Sequence, residues 1–153
     1  MKEVKIGIIS DTHGVLREQV LENLRECDYI FHAGDIGSKE IVDKLNEISK
    51  LIIVRGNNDK ESWADKIKEN EVIEIEGFKI YMVHNKKDIP KEDSSIDMFI
   101  YGHSHSFSTD IKEGAIYFNP GSCGKKRFSL PLTMAIAHLK NKKIRIEKIE
   151  IMA

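Results

Sequence analysis

Residues 4–9 form a short apolar, β-branched run, the pattern of a strand buried on both faces. Leu16, Val20, Leu21 and Leu24 then recur at helical spacing and predict a helix within residues 15–24. Residues 29–31 predict a second strand. Ser38 stands at a helix N-cap position ahead of Ile41, Val42, Leu45 and Ile48, which would share one face. Residues 51–54 predict a third strand. The order βαβαβ implies parallel strands with right-handed crossovers.

The second half has a different rhythm. Val72, Ile73 and Ile75 lead through Glu76-Gly77 into an apolar run at residues 80–83, a hairpin with Gly77 in its turn. Residues 85–97 are polar, hold Pro90, and predict a loop or short helix, either a lid or an ordinary connection. Further strands are expected at residues 98–101, 107–111, 115–118, 133–138 and 144–151. In the last, the step from Ile146 to Ile149 breaks period two, so a bulge or a switch of buried face is expected. About ten strands are too many for one narrow sheet and predict two packed sheets. No linker interrupts the pattern, and residues 1–153 are expected to form a single α/β domain.

Composition narrows the function classes. The chain is 41% hydrophobic and 32% charged, as in water-soluble globular proteins, and its net charge of −1 gives no broad field for strong nucleic-acid binding. Met1-Lys2-Glu3-Val4 lacks the build of a signal peptide, and no apolar run reaches membrane-spanning length, so a cytoplasmic protein without a membrane partner is expected. Cys27 and Cys123 lie far apart outside any CxxC pair and are expected to be free thiols.

Chemistry gathers at the strand ends. Asp11 and His13 (Ser10-Asp11-Thr12-His13-Gly14), Asp35 (Ala33-Gly34-Asp35), Asn57 (Gly56-Asn57-Asn58-Asp59), His84, and His103 and His105 (Gly102-His103-Ser104-His105) each follow an apolar run. In an α/β sheet the carboxyl ends of the strands form the ligand crevice, so five loops would meet on one rim. Asp11-x-His13 and His103-x-His105 are i, i+2 pairs, which on extended backbone point the same way. Carboxylate, amide and imidazole donors suit Mn²⁺, Fe, Zn²⁺, Ni²⁺ or Co²⁺ better than Ca²⁺.

In this order the five motifs resemble the calcineurin-like metallophosphoesterase superfamily, with Asn119-Pro120-Gly121-Ser122 pointing to its small bacterial and archaeal phosphodiesterase branch. The likeness spans residues 6 to 127. It implies a four-layer αββα sandwich of two mixed sheets flanked by helices, with two divalent metal ions at the rim. One ion would take Asp11, His13, Asp35 and His105, the other Asp35, Asn57, His84 and His103, with Asp35 bridging. Mn²⁺ or Ni²⁺ leads, with Fe, Zn²⁺, Co²⁺ or Mg²⁺ as alternatives. The implied activity is phosphodiester hydrolysis by a hydroxide activated between the ions, with Asp35, Asn57, His84 and Asn58 as catalytic residues. The substrate would be a small phosphodiester.

The chain departs from the family where many members carry a His after the motif Asn. Asn58 stands there, and asparagine cannot act as a general acid at neutral pH. This favours diesters over monoesters. The alternatives are a phosphomonoesterase of the same fold and a protein-binding scaffold like the retromer-coat subunit that shares it. Asp59 is expected to orient its loop or a ligand. Asn58, Asn119, Ser122 and Arg127 are candidate phosphate contacts, although the run Lys125-Lys126-Arg127 reads first as solvated surface. His32, His138 and Trp63 read as structural, and Cys123 as a small loop residue before a redox switch. The late strands could supply a surface for a homodimer or homotetramer.

Overall fold

The computed structural model describes residues 3–90, 95–126 and 129–152. The first sheet has the order β10 (Lys143–Ile151), β9 (Leu132–Lys140), β1 (Val4–Ile9), β2 (Tyr29–His32), β3 (Lys50–Ile53). β1, β2 and β3 are parallel, as the βαβαβ pattern predicts, while β9 and β10 add an antiparallel margin. The second sheet has the order β4 (Asn70–Ile75), β5 (Phe78–Val83), β6 (Met98–Ile100), β8 (Ala115–Asn119), β7 (Ser108–Lys112) and is likewise mixed.

The two sheets share one core. Ile6, Ile8 and Phe31 of the first meet Ile80, Met82, Met98, Ile100 and Phe118 of the second, all fully buried. Burying side chains of this size stabilises by about 1.5–3 kcal/mol each. The outer face of the first sheet is covered by α1 (Glu18–Leu24) and α2 (Lys39–Ile48) through Val20, Leu24, Ile41 and Leu45. Gly7 lets α1 sit this close, because a Cβ there would lie 2.4 Å from Leu24 Cδ2.

The outer layers are unequal. Over the second sheet the described residues place no α-helix. Its outer face carries Tyr81, Val83 and Phe99, covered by Ile89, Ile96 and a single 3-10 turn, Lys86–Asp88. The described part of the 85–97 segment thus covers the sheet, and its residues 91–94 lie outside the described set. No helix among the described residues is long and apolar enough to cross a membrane.

Two local expectations are corrected, and a third is decided between its two alternatives. α1 begins at Glu18 rather than near residue 15, because Val15 N turns back to Thr12 O and Arg17 is extended. Ser38 holds the N-cap position of α2 but makes no side-chain cap bond. β10 has no bulge: its register with β9 is unbroken, and the face switches instead. Ile144 and Ile146 pack into the core between the sheets, while Ile149 and Ile151 pack on the helix side.

The residues expected to be structural behave so. His138 lies between Glu3 (2.6 Å) and Glu147 (2.9 Å), and Trp63 packs against the helix-side core. Cys27 and Cys123 are buried free thiols, each pushed up to about 12 by burial, which makes Cys123 a poor redox switch.

Candidate metal centre

The loops after β1, β2, β3, β5 and β6 converge on one rim, held by backbone hydrogen bonds. Asp11 N donates to Gly34 O (3.0 Å), His13 N to Asp35 O (2.9 Å) and Gly102 N to His84 O (2.9 Å). The loops pack without room for side chains at Gly34, Gly37, Gly56 and Gly102. A Cβ on Gly56 would meet Asp35 N and Oδ1 at 2.2 Å, and one on Gly102 would meet Ser10 Oγ at 2.0 Å.

The i, i+2 pairs are not on extended backbone, which corrects the expectation. Asp11, His13, Asp35, His103 and His105 have φ of 56°, 47°, 58°, 72° and 63°, all left-handed. Such residues cost energy and concentrate at functional sites. The pairs converge because tight loops turn them inward, not because strand pleating aligns them.

Two groups of ligand atoms result, each spanning no more than 4.8 Å: Asp11, His13 and His105, and Asp35, His84 and His103. Asp35 faces both groups, with its Oδ2 3.2 Å from His84 Nε2 and 3.6 Å from His13 Nε2. Asn57 and Asn58 are exposed on the same cleft, which has a volume of about 260 Å³.

The polar atoms are arranged as if a partner were due. Asp11 Oδ2 accepts from Ser10 Oγ (2.6 Å) and His103 N (3.1 Å), while buried Oδ1 has no hydrogen bond. His84 Nδ1 lies 2.8 Å from Ala33 O, and donation there leaves Nε2 free to ligate. Buried His84 Nε2, His13 Nε2 and His105 Nδ1 are also without hydrogen-bond partners. Buried orphan donors and acceptors are rare in folded proteins unless something else satisfies them. Divalent cations fit this set of two carboxylates, four imidazoles and an amide.

The electrostatics agree. Burial drives Asp11 toward protonation, but the approach of His105 and His13, the charge of His84 and the Ser10 hydroxyl outweigh it and hold its carboxyl well below the usual range. Asp35 is lowered too: burial opposes ionisation, while His84 and the Asn58 N–H favour it. Burial lowers His84, yet Asp35 and Asp11 raise it on balance. Both carboxylates are therefore ready as anions.

A layer of buried groups holds the rim. Asp59 accepts from Ile36 N (2.9 Å), Gly37 N (3.2 Å) and Gly56 N (2.9 Å), tying the Asp35 loop to the Asn57 loop, the orienting role its position suggests. His32 Nδ1 accepts from Gly34 N (3.0 Å), so its Nε2 carries the proton and donates to Thr12 Oγ1 (3.0 Å). Burial pushes His32 down to about 4 and keeps it neutral.

The candidate phosphate contacts separate. Asn58 donates from Nδ2 (3.0 Å) and N (2.9 Å) to the Asp35 carboxylate. Asn119 and Ser122 are buried, unlike the substrate contacts expected of them. Asn119 donates to Gly102 O and Ser104 Oγ, each at 3.1 Å, and accepts from Gly121 N at 2.9 Å. Ser122 Oγ lies 3.0 Å from Asp11 O and 2.8 Å from Lys125 O. Arg127 lies outside the described residues. Lys125, first read as solvated surface, lines the cleft beside His13 and His105. Only folding of the Asn119–Ser122 loop against Asp11 reveals that placement.

A two-sheet α/β sandwich whose strand-end loops gather nitrogen and oxygen donors is built to hold divalent cations. The chain belongs to the calcineurin-like phosphoesterase superfamily, whose domain it matches over residues 4–142. It is 31% identical over 147 residues to a probable metallophosphoesterase of Methanocaldococcus jannaschii, covering 86% of this chain and 74% of that one. It is 29% identical over 140 residues to a phosphodiesterase of the same organism, covering 78% and 84%. In three dimensions it is similar to Vps29 of Entamoeba histolytica in complex with zinc, with a TM-score of 0.72, 22% identity, and coverage of 96% and 99%.

Proposed function

We propose that this chain is a phosphodiesterase that works on small diesters with two divalent ions. Asp11, His13 and His105 would hold one ion, Asn57, His84 and His103 the other, and Asp35 would be shared. The observation that carries the reading is Asp35 standing between ligand groups in which Asp11 Oδ1, His13 Nε2, His105 Nδ1 and His84 Nε2 are buried without hydrogen-bond partners. Bound divalent ions supply Lewis acidity to phosphoryl oxygens and an acidified water as nucleophile.

The chain's own residues do the rest. Two carboxylates facing two dications leave surplus positive charge, and Lys125 adds to it, so a phosphate anion is drawn in. Asn58 fixes Asp35 through both carboxylate oxygens, which sets the shared ligand before substrate arrives. No proton can come from Asn58 to a leaving group, which favours diesters and good leaving groups over monoesters. Mn²⁺ or Ni²⁺ are the proposed working ions and the cytoplasm the proposed setting.

The test is hydrolysis of bis-p-nitrophenyl phosphate and p-nitrophenyl phosphate by metal-stripped protein, with Mn²⁺, Ni²⁺, Zn²⁺ or Mg²⁺ restored. Metal-dependent turnover of the diester well above the monoester is expected. Faster monoester turnover would make this a phosphomonoesterase. Absence of turnover with two ions bound per chain would turn the assignment toward a scaffold.

A further inference from the structure

A diester carries two arms, one on each ester oxygen of its phosphate. A second cleft of about 240 Å³ opens on the other side of Asn57 and His84, reaching the ends of β3, β4 and β5. Its polar walls come from Arg55, Glu69, Asn70, Asn85 and Asp88. Arg55 Nη2 donates to Glu69 Oε1 at 3.0 Å, and Asp88 makes no ion pair among the described residues. Asn85 Oδ1 accepts from Lys87 N (3.0 Å), which leaves its amide hydrogens free to donate.

The charges of the two clefts are opposed. The first presents Lys125 beside Asp35 and becomes positive once the proposed ions are bound, whereas the second sets one guanidinium against two carboxylates. A second phosphate would face a net negative wall there, and an apolar arm would find only Val83. A hydroxyl does better, since it can donate to Asp88 or Glu69 and accept from Arg55 or Asn85.

We infer that the second cleft holds one ester arm of the substrate and selects an uncharged, hydroxyl-bearing arm, a glycerol or a sugar. The inference rests on the phosphodiesterase reading and narrows it to asymmetric diesters of polyols. Arg55, Glu69, Asn85 and Asp88 are its specificity residues.

The test uses p-nitrophenyl phosphodiesters with a glycerol arm, a propyl arm of similar length, or a glycerol arm carrying a further phosphate. The glycerol ester should exceed the other two in kcat/KM by about tenfold or more, the value of a single hydrogen bond to a charged group. In Asp88→Ala and Glu69→Ala the glycerol-to-propyl ratio should fall toward one. Both residues are exposed, so the melting temperature should hold and exclude unfolding as the cause. A wild-type ratio near one, or variants that leave the ratio unchanged, overturns the inference. Calorimetric binding of glycerol 1-phosphate against propyl phosphate to Mn²⁺-loaded protein gives a readout independent of turnover. If no diester is hydrolysed, the phosphodiesterase reading fails, and a glycerol preference in binding still decides for or against the cleft.

Discussion

Left-handed backbone occurs in two regions of this molecule, and they use it differently. At one end three two-residue turns, Glu76-Gly77, Glu113-Gly114 and Asn141-Lys142, join β4 to β5, β7 to β8 and β9 to β10 with positive φ at both positions. These are the mirror-image turns that match strand twist. At the rim, among the described residues, five non-glycine residues carry positive φ, and all five are candidate metal ligands. In the turns the conformation serves the connection, so side-chain identity matters little. At the rim the conformation serves the side chain, and buried hydrogen bonds rather than turn chemistry hold it. Substitutions should therefore be costly at the rim and cheap, or even favourable, in the turns.

The sharpest break is Asp35→Asn. It removes a charge from the ligand that faces both groups while keeping its size. The rate should fall by about 10³-fold or more, since the ions supply several kcal/mol of transition-state stabilisation. Metal content measured on the purified variant should fall with it. Normal content and rate would end the shared-ligand account.

Next comes Asp59→Ala, which touches no ligand atom. It would strip the acceptor from three backbone N–H groups, at Ile36, Gly37 and Gly56. Leaving the two buried donors, Ile36 N and Gly56 N, unsatisfied costs about 1–3 kcal/mol each, so a total of about 3 kcal/mol is expected by urea denaturation. Metal affinity should drop as well, because the Asp35 and Asn57 loops lose their tie. A stability loss under about 1 kcal/mol would show that the rim does not depend on this layer.

A smaller effect tests the buried neutral His32. Its folded value of about 4 lies below its ordinary 6.5, so the unfolded chain binds more protons between those limits. Its contribution is full above pH 6.5 and is lost as pH falls toward 4. Between pH 7.5 and 5 the loss is about 2 kcal/mol. His84, raised in the metal-free protein, works in the opposite sense, because its stabilisation is present at low pH and lost as pH rises. Comparison of wild type with His32→Gln isolates the His32 share. Equal pH dependence of the two proteins would refute it.

The same contrast explains what could be read in the sequence. The strands were legible because apolar runs and period two are local, and the seven ligand candidates because their motifs sit at strand ends. The left-handed geometry of Asp11, His13, His103 and His105 was not, since spacing alone suggested extended pairs. Nor was the burial of Asn119 and Ser122, which depends on the loop after β8 folding against Asp11 and Gly102. Lys125 in the cleft and the Arg55–Glu69 wall arise from contacts between segments far apart in sequence. The reduced cover over the second sheet was likewise hidden, because a polar stretch does not show which surface it crosses.

The smallest prediction comes from the turn that least suits its backbone. Asn141 tolerates the left-handed region, but Lys142 sits at φ 61° with a Cβ and a long side chain. Lys142→Gly would give Asn-Gly, the sequence most suited to this turn. Relief of left-handed strain, about 1–2 kcal/mol, is partly offset by the extra backbone entropy of glycine, about 0.5–1 kcal/mol. A net gain of about 0.5–1 kcal/mol should appear as a melting temperature higher by a few degrees, about 2–4 °C per kcal/mol at this size. The turn joins β9 to β10 and supplies none of the candidate ligands, so diester turnover should not move. A loss of stability would show that the lysine does more in this turn than occupy it, and would erase the distinction between replaceable turns and irreplaceable rim.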